Sequence, residues 1–169
     1  DPRVKILLVG RLTRIKGHPT IIEAAAKLKA EGREDFLILF AGGDQGRVEY
    51  RQELIDLIAA QGLTDQVKLV GHVDDAPAAY LLADLAILPS TVPESFGRAA
   101  VEPQVMGKPV IGSDHGGTSE TIVHGETGWL APPGDVQAWA RALASAIDAG
   151  PLKLRDMGQR AAGRTRQLY

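Results

Sequence analysis

Three stretches of this chain gather residue types suited to holding an anion and its neighbouring hydroxyls. The first is VGRLTRIKG at Val9–Gly17, where Arg11 and Lys16 bracket a short loop that feeds a helix start. Gly10 permits close backbone approach where the loop begins. An arginine fork and a lysine point charge converging at a helix N-terminus suit a diphosphate. The same two cations are equally compatible with a solvated loop. The GxxxxGK[ST] spacing of a Walker loop is absent.

The second stretch is ESFGRAAVE at Glu94–Glu102, two carboxylates eight positions apart with a helix start between them. Ser95 suits the N-cap, and Gly97 leaves its backbone N–H unobstructed for an anion. Glu102 falls about two turns into the helix, on a face related to that of Glu94. A carboxylate accepts hydrogen bonds from paired hydroxyls, as on a ribose or hexose. Two unrelated solvated glutamates would show the same spacing, but the flanking Ser95-Phe96-Gly97 argues against coincidence. Pro103 lies inside this helical pattern and predicts a local kink directly after Glu102. The third stretch is HGGTSE at His115–Glu120. Gly116 and Gly117, ahead of a helix, offer backbone donors to a phosphate or a sugar hydroxyl, although a Gly-Gly pair is more often only a turn. Glu120 reads as exposed or structural.

Other chemistries find little support. The four histidines, His18, His72, His115 and His124, show no metal-ligand spacing and read as surface or capping residues, with His115 at the edge of the third stretch. No GxSxG elbow accompanies any strand. The chain has no cysteine, which removes disulfides, thiolate nucleophiles and thiolate metal sites. A net charge of −2 favours neither nucleic acid nor an anionic membrane, so an anion site must be a local arrangement. No apolar run is long enough to span a bilayer, and the N-terminus reads as a strand and not as a signal peptide; a cytoplasmic protein is expected.

The elements that position these stretches alternate along the chain. Strands are predicted at Val4–Val9, Phe36–Ala41, Val67–Gly71, Leu85–Leu88, Pro109–Ile111 and Thr127–Leu130. Between them, Ile21, Ile22, Ala25 and Leu28 share one helical face after Pro19, and Leu54 to Ile58 form a second stripe closed by Gly62. Short helices follow from Asp75 to Ala83, from about Ser95, and from Gly116-Gly117 through about Val123. Asp135 caps a helix carrying Val136, Trp139, Ala140, Leu143 and Ile147, and a polar, Arg-rich helix follows Pro151. Trp129 and Trp139 read as core. Strand–helix alternation over 169 residues implies one doubly wound, Rossmann-like α/β domain, its parallel sheet covered on both faces. In such a sheet ligands bind beyond the carboxyl ends of the strands, where Gly10-Arg11, Gly42-Gly43-Asp44, Gly71-His72-Val73, Ser90-Thr91 and Ser113–Gly117 all fall.

Taken in order, VGRLTRIKG, FAGGD at Phe40–Asp44, VGHVDD at Val70–Asp75, ADLAILPS at Ala83–Ser90, Glu94–Ile122 and GETGWLAPPGD at Gly125–Asp135 resemble one family over nearly the whole chain. They are similar to the C-terminal, donor-binding domain of the GT-B glycosyltransferases of family 4, which are retaining enzymes. The resemblance implies that Arg11 and Lys16 bind the diphosphate of a UDP-, GDP- or ADP-sugar and stabilise the leaving group. Glu94 would lie near the donor sugar and Glu102 would hold the ribose hydroxyls. Backbone of Ser95, Phe96 and Gly97 would line sugar and phosphate, Gly43 and the backbone around Val73 would border the base, and Gly10, Gly116 and Gly117 are further donor-binding candidates. No metal or other cofactor is implied.

Pro103 departs from the family pattern, which has a smaller residue there. The resemblance also implies a partner, an N-terminal acceptor domain of the same enzyme, so that this segment binds donor without turning it over alone. Membrane association of the whole enzyme would be peripheral. The tail at 151–169 would pack on that domain and is expected to be poorly anchored here. A receiver domain would place acids after the first strand, where Gly10-Arg11 stands, and a phosphorylase would need a pyridoxal-binding lysine that the sequence does not supply. A non-catalytic nucleotide-binding or regulatory module and a sugar-nucleotide epimerase remain as alternatives.

Overall fold

The computed structural model describes residues 1–94 and 97–169; Ser95 and Phe96, with the N-cap and lining roles expected of them, lie outside the described residues. Six parallel strands, β1 (Val4–Val9), β2 (Phe36–Ala41), β3 (Val67–Gly71), β4 (Leu85–Leu88), β5 (Val110–Ser113) and β6 (Gly128–Ala131), form one sheet in the order β3-β2-β1-β4-β5-β6. This is the doubly wound order, with its switch point between β1 and β4. The apolar runs are continuous because both faces are covered. Along β1, Ile6 and Leu8 enter one core while Leu7 enters the other.

The first core lies under α1 (His18–Ala30), α2 (Val48–Ala60) and the start of α6 (Val136–Leu168). The second lies under α3 (Ala76–Leu82), α4 (Arg98–Val105) and α5 (Gly116–Thr121). Asp75 and Asp135 cap α3 and α6 through carboxylates that accept from Ala78 N and Ala138 N at 3.0 Å each. Trp139 is fully buried, its indole N–H donating to the Pro132 carbonyl at 3.2 Å, and Trp129 is also buried.

Several boundaries differ from expectation for local reasons. Helix α4 begins at Arg98, because Gly97 takes a left-handed conformation (φ 64°) at its N-cap. It continues through Pro103 to Val105. Beside the proline, the buried Gln104 side chain donates to the Ala100 carbonyl at 2.8 Å. Helix α5 stops at Thr121, where Ile122 turns extended and enters the second core. Strand β6 begins at Gly128 because the Thr127 backbone N–H is spent on the preceding turn, donating to the Val123 carbonyl at 3.0 Å.

The tail is the largest correction. It is firmly packed: α6 breaks at Gly150 (φ 80°) and then buries Leu154, Met157, Gly158, Ala161, Ala162 and Thr165. A Cβ on Gly158 would stand 1.8 Å from the Gly107 carbonyl oxygen, so only glycine lets the tail lie this close to the end of α4. Arg164 and Arg160 donate to the carbonyls of Thr121 and Glu126 at 2.8 and 3.0 Å. The stripe of small residues, and not the polar composition, decides the packing.

Candidate functional site

The site is built at the switch point, where the segments following β1 and β4 leave the sheet. After β1 the chain makes a single 3-10 turn at Arg14–Lys16, and Gly17 follows with φ 82°. A Cβ on Gly17 would lie 2.0 Å from the Pro89 carbonyl oxygen. Thr91 N donates to the Ile15 carbonyl at 2.9 Å, which stitches the same two segments together. This contact brings Lys16 to Glu94: Nζ and Oε1 are 3.4 Å apart, and both side chains are partly shielded. The buried Ser90 hydroxyl donates to the same Oε1 at 3.1 Å. Two residues far apart in sequence are therefore held as one ion pair with a neutral hydrogen-bond donor.

The glycine-rich segments close around Glu94. Gly117 N donates to the Glu94 carbonyl at 2.7 Å, so this amide holds the loop and does not project to solvent. A Cβ on Gly116 (φ 57°) would lie 2.9 Å from the same carbonyl oxygen, and one on Gly97 would lie 2.7 Å from the Gly117 oxygen. Lys16, Glu94, Gly97, Gly116 and Gly117 thus form one connected cluster.

Gly10, Arg11, Gly43 and Val73 form a second group lining a cleft of about 210 Å³, with Gly42 and His72 beside them. Arg11 is exposed at its mouth. The glycine that close approach demands here is Gly42 and not Gly10. A Cβ on Gly42 would stand 1.8 Å from the Gly10 oxygen, whereas one on Gly10 would make ordinary contact with the Lys16 side chain. Glu102 is exposed on α4, and its charge reaches Tyr80 of α3. Burial, with Glu102 second, pushes the Tyr80 phenol well above its ordinary range. Glu102 therefore lies near α3, and among the described residues it makes no hydrogen bond or ion pair with Lys16 or Glu94.

A larger hollow, about 530 Å³, opens at the start of α2. One of its cations, Arg14, is already matched by Glu53 at 2.9 and 3.0 Å and covers the Tyr50 ring at 4.7 Å. The smaller cleft lies instead at the carboxyl ends of β1, β2 and β3, where a doubly wound sheet takes its ligands.

The histidines divide. His72 is exposed and paired with Asp74 at 2.9 Å, and His124 Nδ1 accepts from Leu130 N at 2.9 Å. His115 stands at the N-cap of α5. His18 is neither a surface nor a capping residue: it is fully buried, edge-on to Phe40 with ring centres 4.8 Å apart. Its place was legible, since His18, Ile21, Ile22 and Ala25 share one helical stripe. Ser90 and Gly42 were legible only as strand-end residues and Gly17 only as the end of the first stretch; what each does depends on a partner distant in the chain. Among the described residues no group of three or more His, Cys, Asp or Glu is placed to hold a metal ion, and no helix is long and apolar enough to cross a membrane.

Known proteins share this fold. The chain is 37% identical to a D-inositol 3-phosphate glycosyltransferase of Salinispora tropica over 86% of its own length and 31% of the relative's. It is 30% identical to the alpha-1,3/1,6-mannosyltransferase alg-2 of Neurospora crassa, over 97% and 40%. The chain thus spans about a third of the length of the curated relatives it matches. Among solved structures, the Anabaena HepE complex with UDP and glucose superposes with a TM-score of 0.88 at 30% identity, over 98% of this chain and 44% of that one. The C-terminal domain of a group 1 family glycosyl transferase, LpcC of Francisella tularensis, superposes with a TM-score of 0.83 at 28% identity, over 97% of this chain and 85% of that one. The family model for glycosyl transferases group 1 matches residues 1–164, and the chain belongs to that family.

Proposed function

We propose that this chain is the donor-binding domain of a retaining glycosyltransferase and takes the nucleoside diphosphate of a nucleotide sugar at the switch point. The observation that carries the reading is the Lys16–Glu94 pair, held by Ser90 beside a glycine-lined cleft. At 3.4 Å, and only partly shielded from water, the pair contributes on the order of 1 kcal/mol. An incoming diphosphate, with more charge than one carboxylate, draws Lys16 away at little cost, and exposed Arg11 adds a fork for the second phosphate. Positive charge already placed where the leaving diphosphate gains negative charge lowers the barrier to breaking the glycosidic bond.

In this reading Glu94, released from Lys16, faces the donor sugar, and Glu102 takes the ribose hydroxyls beside α3. Gly10, Gly43 and Val73 border the base, which requires no bulk in that cleft. The backbone of Ser95, Phe96 and Gly97 lines sugar and phosphate, with Gly116 and Gly117 supporting it. No metal is required, because the two cations neutralise the diphosphate. The acceptor is held by an N-terminal domain of the same enzyme, which completes the active site. UDP in the HepE complexes makes UDP-sugars the first donors to try.

The test is thermal unfolding of this chain with UDP, GDP and ADP, each against its matched nucleoside. A diphosphate at 100 times its dissociation constant raises Tm by roughly 5–10 °C, and the nucleoside much less. Arg11→Ala and Lys16→Ala weaken the diphosphate far more than the nucleoside. Equal losses for both ligands would remove the diphosphate role, and no rise with any diphosphate would sink the donor-site reading for this chain.

A further inference from the structure

Directly behind the Lys16 turn lies a costly arrangement that the donor site as described does not use. His18 is completely buried, yet neither Nδ1 nor Nε2 has a hydrogen-bond partner among the described residues, and the buried Thr13 hydroxyl has none either. Burial first, and the Lys16 charge second, push the His18 ring down to about 4. At neutral pH the ring is therefore uncharged, one nitrogen bearing a proton to donate and the other a lone pair to fill. Buried polar groups left unmatched are destabilising, and a phenylalanine against Phe40 would carry no such penalty. Packing alone does not account for a histidine here.

The neighbouring backbone supplies what the ring lacks. Thr13 begins the turn that ends in Lys16, and its carbonyl accepts from Lys16 N at 3.1 Å. The same carbonyl already favours the charged form of His18, as a weak backbone interaction that falls short of a well-formed hydrogen bond. It has a second lone pair, and the unmatched Thr13 hydroxyl can donate or accept. Unmatched donors and acceptors of complementary kind thus flank a single turn. In the present arrangement that turn presents Lys16 to Glu94.

The geometry points to His18 as a positioning residue for the diphosphate-binding turn: its ring ties to Thr13 when a diphosphate draws Lys16 off Glu94. The unliganded protein carries the unmatched groups, and the bound form matches them, so part of the diphosphate affinity comes from behind the turn. The inference rests on the donor-site reading and assigns to it a residue that touches no ligand.

Two readouts separate this role from mere packing. In His18→Phe the unliganded Tm stays level or rises, while affinity for the preferred nucleoside diphosphate falls about fivefold, the effect of one neutral hydrogen bond. Affinity for the matched nucleoside is unchanged. His18→Leu serves as a second variant if the larger ring does not fit. His18→Asn and His18→Gln place an amide donor near Nδ1 and Nε2 respectively, and one of them restores most of the lost affinity. If the wild-type chain binds a diphosphate and His18→Phe binds it equally well, the inference is overturned. It is also overturned if Tm, nucleoside and diphosphate affinity all fall together. A wild-type chain that binds no diphosphate fails at the earlier step and condemns the donor site itself.

Discussion

The two faces of the sheet are built differently. Over one lie α1, α2 and the start of α6, helices of 13 residues and more, which bury Phe36, Phe40, Trp139 and a row of Ile and Leu in a broad core. Over the other lie α3, α4 and α5, helices of 7, 8 and 6 residues, above a small core rich in alanine. On the first face, side chains fill space. On the second, backbone touches backbone, through Gly97 against Gly117 and Gly116 against Glu94. Glu94, Gly97, Glu102, Gly116 and Gly117 belong to the second face, and Lys16 reaches them across the switch point. Stability is concentrated where bulk can be buried. The candidate site occupies the side where short helices leave many backbone ends near one spot.

The hardest blow to the first face is Trp139→Ala. This side chain is fully buried and its indole N–H is satisfied, so removal costs about 3–5 kcal/mol. At this chain length that lowers Tm by roughly 6–20 °C. The ratio of diphosphate to nucleoside affinity stays the same, because nothing on the second face moves. A changed ratio would show that the two faces are not separable.

Acid tests the one residue of the first face that behaves like part of the site. The His18 ring is held near 4 in the folded protein against an ordinary 6.5. The unfolded chain therefore binds a proton first as pH falls. Stability from keeping the ring neutral is complete above about pH 6.5 and is lost between there and about pH 4, to a total of about 3 kcal/mol. Denaturant unfolding of the wild type and of His18→Phe at pH 7 and pH 4 measures it. The stability difference between the two proteins shifts by that amount in favour of the variant at pH 4, and an unchanged difference would mean that the ring is not held neutral.

Much of this architecture was legible in the sequence. Runs such as FLILFA, bounded by glycine and separated by helical stripes, sufficed for six strands, their parallel arrangement and the residues at their carboxyl ends. The approach of Lys16 to Glu94 was expected only as a shared site, since the pairing depends on Gly17 fitting under Pro89 and no local pattern encodes that contact. The His18 burial and the tail packing were written in helical stripes, His18 with Ile21 and Ile22, and Gly158 with Ala161, Ala162 and Thr165. They were obscured by residue types that more often face water. Among the helix starts, that of α4 was the least legible. The entry to α4 is set by the left-handed turn at Gly97, which tertiary contact with Gly117 imposes.

That contact supplies the mildest change in stability and the sharpest contrast with Trp139. In Gly97→Ala the new Cβ meets the Gly117 carbonyl at 2.7 Å, and the left-handed φ of 64° disfavours any side chain. The strain amounts to about 1–3 kcal/mol, less than the loss of Trp139. It is delivered where Glu94 and Gly117 are joined, so the Glu94 segment shifts relative to Lys16. Thermal shifts with the preferred nucleoside diphosphate should shrink by more than half in Gly97→Ala and remain whole in Trp139→Ala, although Trp139→Ala is the less stable protein. Were Gly97→Ala to keep its full shift, the close backbone contacts of the second face would be only a way of packing short helices, and the site would depend on the first face after all.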